Sequence, residues 1–193
     1  SITITCFGEV PIGLAIGRNG ATPGDFIFVT GSIGDASFGL AILSGKLDCF
    51  DDSKALVDRY RLPQPRCNIG HQLINIAHAA IDISDGLLAD LRHICRASGV
   101  RAVVDASSIP LAKPVAKFIE KNTNFFERAI SGGDDYEILF TADPGCESLI
   151  ARLAGEVNLP ITKIGTIQEG RGILLQAEDG RSITVGFEGY THR

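Results

Sequence analysis

A chain of 193 residues with 45% apolar content carries enough material for one sizeable core, or for one domain with a piece of another. Its net charge of −5, with basic residues scattered rather than clustered, excludes a polyanion-binding surface but leaves room for a small anionic ligand held through metal ions. Five cysteines without a C-x-x-C pair argue against a disulfide framework and a zinc site and point to a reducing cytosol. No apolar run approaches the roughly 18 residues that span a bilayer, and the first residues lack a basic region followed by an apolar one.

The opening "SITITCFGEV" alternates Ile2, Ile4 and Cys6 and reads as a strand. A chain that starts inside a strand, on Ser and with no Met anywhere, is expected to be a piece of a longer protein. "RNGATPGD", Arg18 to Asp25, carries successive turn signals, and the strand "FIFVTG" follows. The join between an upstream remnant, residues 1–22, and a main domain, residues 23–193, is placed there.

A helix is expected from Asp35 to a stop at Gly45, and another from the Asp-Asp-Ser start near residue 51 to Pro63 and Pro65. A further helix is read across Ile69 to Ala80, with His71 and His78 as an i, i+7 pair on it. After "IDISDG", the apolar positions Leu87, Leu88, Leu91, Ile94 and Cys95 predict an amphipathic helix ending at Gly99. "RAVVDA" is a strand, Pro114 opens a helix to about Lys121, and "FFERAI" adds a turn or two. "YEILFTA" is a strand, "GCESLIARLAG" a helix, and "ITKIGTI" with "GILLQAEDGRSITV" a strand and a hairpin turning at Asp179-Gly180. The alternation has no steady βαβ period, so the expected class is α+β, a mixed sheet with packed helices.

Two acidic, glycine-containing junctions carry the candidate chemistry. In "DISDG", Ser84 or Asp85 can cap the following helix, which leaves Asp82 over; with them it offers the hard oxygen ligands that Mg²⁺ prefers. In "GGDDYE", Gly132 and Gly133 permit a close backbone approach, and Asp134 and Asp135 serve equally as turn residues. Each junction alone has both a structural and a functional explanation. Together, each flanked by core-quality apolar runs, they suggest carboxylates gathered at one mouth of the sheet. The histidines match no catalytic motif and read as structural or solvated, and "GSIGDASFG" is neither a Rossmann fingerprint nor a Walker loop. Tyr190 is either a hydrophobic anchor or a stacking platform for a flat ring.

At "SITITCFGEVP", "GATPGDFIFVTGSIGDASFGL", "RYRLPQPR", "AIDISDGLLADLRHIC" and "SGGDDYEILFT", with "KIGTI" behind them, the sequence resembles the thiamine-monophosphate kinase family. That family belongs to the superfamily of aminoimidazole ribonucleotide synthetase and selenophosphate synthetase. The resemblance implies the C-terminal α+β domain plus the last strand of an N-terminal dimerisation and ATP-binding domain. It implies Mg²⁺-assisted transfer of the ATP γ-phosphoryl to thiamine monophosphate in a cytoplasmic homodimer, with too few ligands in this chain alone for catalysis. By position, Asp82 and Asp85 resemble metal ligands, Arg18 and Ser84 nucleotide contacts, and Asp134 and Tyr190 substrate contacts. Asp134 stands where many relatives have Glu. Asp135 and Glu137 receive no ligand contact and are expected to hold their loop. The alternatives are another ATP-using enzyme of the superfamily, or a non-catalytic binding or assembly module.

Overall fold

The computed structural model describes residues 2–184 and Gly186; Tyr190 lies outside the described residues. Six strands form one mixed sheet: β1 (Phe26–Thr30), β2 (Ala77–Asp82), β3 (Arg101–Asp105), β4 (Ile138–Ala142), β5 (Ile161–Gln168) and β6 (Gly172–Gln176). Their order is β2-β4-β1-β5-β3-β6, antiparallel throughout except for the parallel β3–β6 pair.

Period-two alternation divides the core between the two faces of the sheet. Ile27, Val29, Ile81 and Leu139 point to one face, where they meet Leu87, Leu91 and Ile94 of α4 (Leu87–Ser98). Phe28, Phe140 and Ala142 point to the other, against Ile150 and Leu153 of α7 (Glu147–Glu156). Phe28 and Phe140 are directly opposed across the β1–β4 ladder, and their rings stack at 5.3 Å. Such a cross-strand aromatic pair adds roughly 0.5–1.5 kcal/mol beyond its burial.

The α4 helix forms because its apolar residues recur on one stripe, and it ends because Gly99 adopts φ 70° and bonds its N–H to the Cys95 carbonyl. A third apolar cluster centres on Phe38 of α1 (Asp35–Leu43), with Leu56 of α2 (Ser53–Arg61) and Val115 of α5 (Lys113–Lys121). It places α1 and α2 side by side, and α6 (Phe126–Ser131) leads from this cluster into "GGDDYE".

The mixed α+β architecture is the one expected, with three local differences. Residues 2–10 form no strand; Ile2 and Phe7 are exposed, and no strand among the described residues lies beside them to supply the ladder bonds a strand needs. The helix read across Ile69–Ala80 is instead a four-residue α3 (Cys67–Gly70), a 3₁₀ turn (His71–Leu73) and β2. Asn75, at φ 65°, breaks the helical path, and β4 recruits the small residues that follow, pairing Ala80 with Phe140. His71 and His78 therefore share no helix; His78 projects from β2 and bonds Asp25 through Nδ1 at 2.9 Å. Finally, β4 starts at Ile138, because Tyr136 takes a left-handed φ of 51°.

Candidate active site

Beyond the end of β2, Ile83 and Ser84 continue to pair with the segment that leads into β4. The Ile83 N–H donates to the Glu137 carbonyl at 2.8 Å, the Tyr136 N–H to the Ile83 carbonyl at 2.8 Å, and the Asp134 N–H to the Ser84 carbonyl at 2.9 Å. The two acidic junctions are thus laced together backbone to backbone. Glycine is required for the closeness: a Cβ on Gly133 would lie 2.2 Å from the Ser84 carbonyl oxygen. Gly86, at φ 123°, would in the same way meet the Ser131 carbonyl oxygen at 2.8 Å.

The turn before α4 is held by a residue other than Ser84 or Asp85. Asp90, in the first turn of α4 and only 2% exposed, turns back so that Oδ2 accepts the N–H groups of Ser84, Asp85 and Gly86, each at 3.1 Å. Burial raises the Asp90 pKa, while the three backbone bonds oppose that rise. Asp90 is a site-building residue that the motif reading missed. Its only trace in the sequence is an acid four residues after Gly86, within the first turn of a helix.

The "GGDDYE" segment alternates in the same way. Asp134 (φ 70°) and Tyr136 (φ 51°) are left-handed, each at a cost of roughly 1–2 kcal/mol for a residue with a Cβ. Asp135 and Glu137 between and after them turn inward and are 1% and 0% exposed. Asp135 Oδ2 accepts the Gly34 N–H at 2.7 Å and Oδ1 the Ala36 N–H at 3.1 Å, tying the loop to the start of α1. Burial pushes its carboxyl up to about 8, against the pull of those two N–H groups. Glu137 accepts Thr30 Oγ1 at 2.6 Å and Arg66 Nε at 2.7 Å, with further bonds from Arg66 Nη2 and Arg59 Nη2. These anchors hold the loop, as expected for Asp135 and Glu137.

What the alternation turns outward is a group of oxygens. The Tyr136 hydroxyl donates to Asp134 Oδ1 at 3.2 Å. Burial raises its pKa first, the neighbouring Asp134 carboxylate adds to the rise, and the charges of Asp82 and Asp85 contribute after it. Asp82 is exposed at the end of β2, while Ser84, Asp85 and Asp134 are half-buried. A carboxylate-rich, hard-oxygen donor set of this kind suits Mg²⁺. Among the described residues, the one group of three that brings a ligand atom each within 4.8 Å of one another is Asp85, Asp90 and His93; Asp82 and Asp134 do not complete a second. Beside the loop lies a cavity of about 470 Å³ lined by Ser37, Phe125, Glu127, Arg128, Ser131 and Gly132, within the size range of small-molecule sites.

Arg18 is not part of this convergence. Its carbonyl accepts Ser98 Oγ at 3.0 Å, at the far end of α4. Eleven residue steps of helix, roughly 16 Å, separate Ser98 from Leu87. Tyr190 lies outside the described residues, and no helix among those described is long and apolar enough to cross a membrane.

Residues 22–177 match the family of AIR synthase related proteins, C-terminal domain. The chain is 38% identical to the thiamine-monophosphate kinase of Salmonella typhimurium over 194 aligned residues, covering all of this chain and 59% of that protein. Among solved structures, the thiamine-monophosphate kinase of Stenotrophomonas maltophilia superposes with a TM-score of 0.81 at 37% identity, covering 90% of this chain and 56% of the other. AaThiL complexed with AMPPCP and TMP gives 0.76 at 32% identity, covering 92% and 54%. The chain thus spans a little over half the length of the proteins it matches. It belongs to the AIR synthase related protein family, whose C-terminal domain its residues 22–177 form.

Proposed function

We propose that this chain is the C-terminal part of a thiamine-monophosphate kinase, a cytoplasmic homodimer that transfers the γ-phosphoryl of ATP to thiamine monophosphate. Residues 1–22 are read as the end of an upstream dimerisation and ATP-binding domain, and residues 23–193 as the C-terminal domain. The observation that carries the reading is the backbone lacing of "DISDG" to "GGDDYE", which brings the two segments bearing Asp82, Asp85 and Asp134 side by side. The similarity to a complex holding AMPPCP and TMP supports the two substrates.

Both reactants are anionic phosphates, so the reaction is limited by their repulsion and alignment more than by any need for a protein nucleophile. Mg²⁺, when bound, neutralises the phosphate oxygens and the charge that develops between them. In this chain Asp82 and Asp85 are the residues that would hold it. Ser84 would contact the nucleotide beside the metal, Arg18 would reach it only from the far end of α4, and Asp134 and Tyr190 would contact the acceptor. Asp90 fixes the backbone from which Ser84 and Asp85 project, and Asp135 and Glu137 fix the loop from which Asp134 projects. The chain alone is expected to be inactive, since it contributes only part of the ligand set.

The test is a phosphoryl-transfer assay on the full-length protein carrying this chain, with ATP, Mg²⁺ and thiamine monophosphate, following thiamine diphosphate and ADP. Stoichiometric formation of both supports the reading. A protein that binds neither substrate, or that consumes ATP only with a different acceptor, returns the assignment to a binding module or to another enzyme of the superfamily.

A further inference from the structure

The bend that aims Asp134 is not held by its own sequence. Between its two left-handed residues, Asp134 and Tyr136, runs the Asp135 peptide, whose carbonyl is gripped by a separate helix from outside the two junctions. Arg59 Nη2, from α2, donates to that carbonyl at 3.0 Å and also to the Glu137 carboxylate. Arg59 is three-quarters buried or more, its side chain being 17% exposed, and Glu137 is fully buried. The helix that carries it is itself fixed: Leu56 sits in the Phe38 cluster, and Gly39 of α1 packs so closely on the Leu56 carbonyl that a Cβ there would come within 2.2 Å. The start of α1 in turn holds the Asp135 carboxylate through the Gly34 and Ala36 amides. One rigid pair of helices therefore grips both the backbone and the side chain of Asp135, the residue directly after Asp134.

We propose that Arg59 is a positioning residue for the acceptor substrate: it sets the direction of Asp134 by fixing the Asp135 carbonyl, without touching substrate. The inference rests on the reading of Asp134 as an acceptor contact. Arg66 does not duplicate this role, because its bonds reach Glu137 alone, and Glu137 keeps Arg66 and Thr30 when Arg59 is removed. The loop then stays attached but its peptide is free to turn. A single nitrogen, Nη2, makes both Arg59 bonds, so the ammonium of a lysine can meet the same acceptors in part.

The test compares Arg59→Met, Arg59→Lys, Asp134→Ala and the double variant Arg59→Met/Asp134→Ala in the full-length protein. Each is first checked for native far-UV dichroism and a cooperative melt. Arg59→Met is expected to raise KM for thiamine monophosphate roughly tenfold with KM for ATP within about twofold, and Arg59→Lys to recover part of the loss. In the Asp134→Ala background, Arg59→Met is expected to add less than about twofold, because the residue through which it acts is gone. If Asp134→Ala raises the acceptor KM while folded Arg59→Met leaves it unchanged, or if the two effects multiply, the positioning role is overturned and the assignment of Asp134 stands. An Asp134→Ala variant with ordinary acceptor kinetics overturns both.

Discussion

Glu137 offers the sharpest stability test, because a fully buried carboxylate is held by two guanidinium groups and a hydroxyl. Replacement by glutamine keeps the volume but removes the charge and turns one acceptor oxygen into an NH₂ group that faces donors from Arg59, Arg66 or Thr30. Breaking a buried pair costs about 3–5 kcal/mol when the remaining charge is sealed off. Here Arg59 and Arg66 keep 17% and 21% side-chain exposure and can partly rehydrate, so the expected loss is lower, about 2–4 kcal/mol. For a domain of this size, that loss lowers Tm by roughly 5–15 °C. The chain has no Trp, so urea unfolding is followed by far-UV circular dichroism, with the m value held as a check on two-state behaviour. A Glu137→Gln loss under about 1 kcal/mol with unchanged m would show that the ion network does not hold the loop, and the reasoning about positioning would fall with it.

Gly133→Ala forces a Cβ to within 2.2 Å of the Ser84 carbonyl oxygen, so it is expected to push the two junctions apart. The expected readout is a loss of protection of the Asp134 and Tyr136 amides in hydrogen exchange, while those in β5 keep theirs; uniform protection would contradict it. Asp135 gives a pH test. Its folded pKa of about 8 lies above the unfolded value near 3.9, so the folded state keeps a proton that the unfolded state has lost in between. Its contribution is full below about pH 4 and declines as pH rises through 8, so the stability of wild type relative to Asp135→Asn should fall between pH 5 and 8. A constant difference across that range would contradict it. Asp82→Asn in the full-length protein is expected to lower turnover roughly 100-fold with an unchanged melt, since it removes charge but not size; near-normal kcat would exclude the metal role.

Much of the fold was legible because local chemistry and tertiary packing agree. The stripe from Leu87 to Cys95 with Gly99 after it, the run "FIFVT" and the Pro114 helix start each have one reasonable structure, and each takes it. Ile69–Ala80 misled because His-Ala-Ala has helical character in isolation, while the pairing of Ala77–Asp82 with β4 depends on residues 56 to 65 positions further on. The opening Ile-x-Ile alternation has strand character but no neighbouring strand among the described residues, and a strand without its ladder has no reason to form. At the site, glycine-plus-carboxylate composition pointed to the two junctions that the backbone laces together. It could not divide the work among their acids: that Asp135 and Glu137 face inward follows from left-handed turns at Asp134 and Tyr136, and that Asp90 holds "DISDG" follows from a helix bending its first turn back on its own approach. The Arg59 grip joins residues 76 apart and has no local signature.

Whether the two laced junctions form one Mg²⁺-dependent nucleotide site is decided by calorimetry. ATP is titrated into the full-length protein with Mg²⁺ and then with EDTA, using wild type and Asp82→Asn. The account expects saturable binding that requires Mg²⁺ and that weakens at least about tenfold in the folded variant. Binding of equal strength in the variant, or binding indifferent to Mg²⁺, would contradict it.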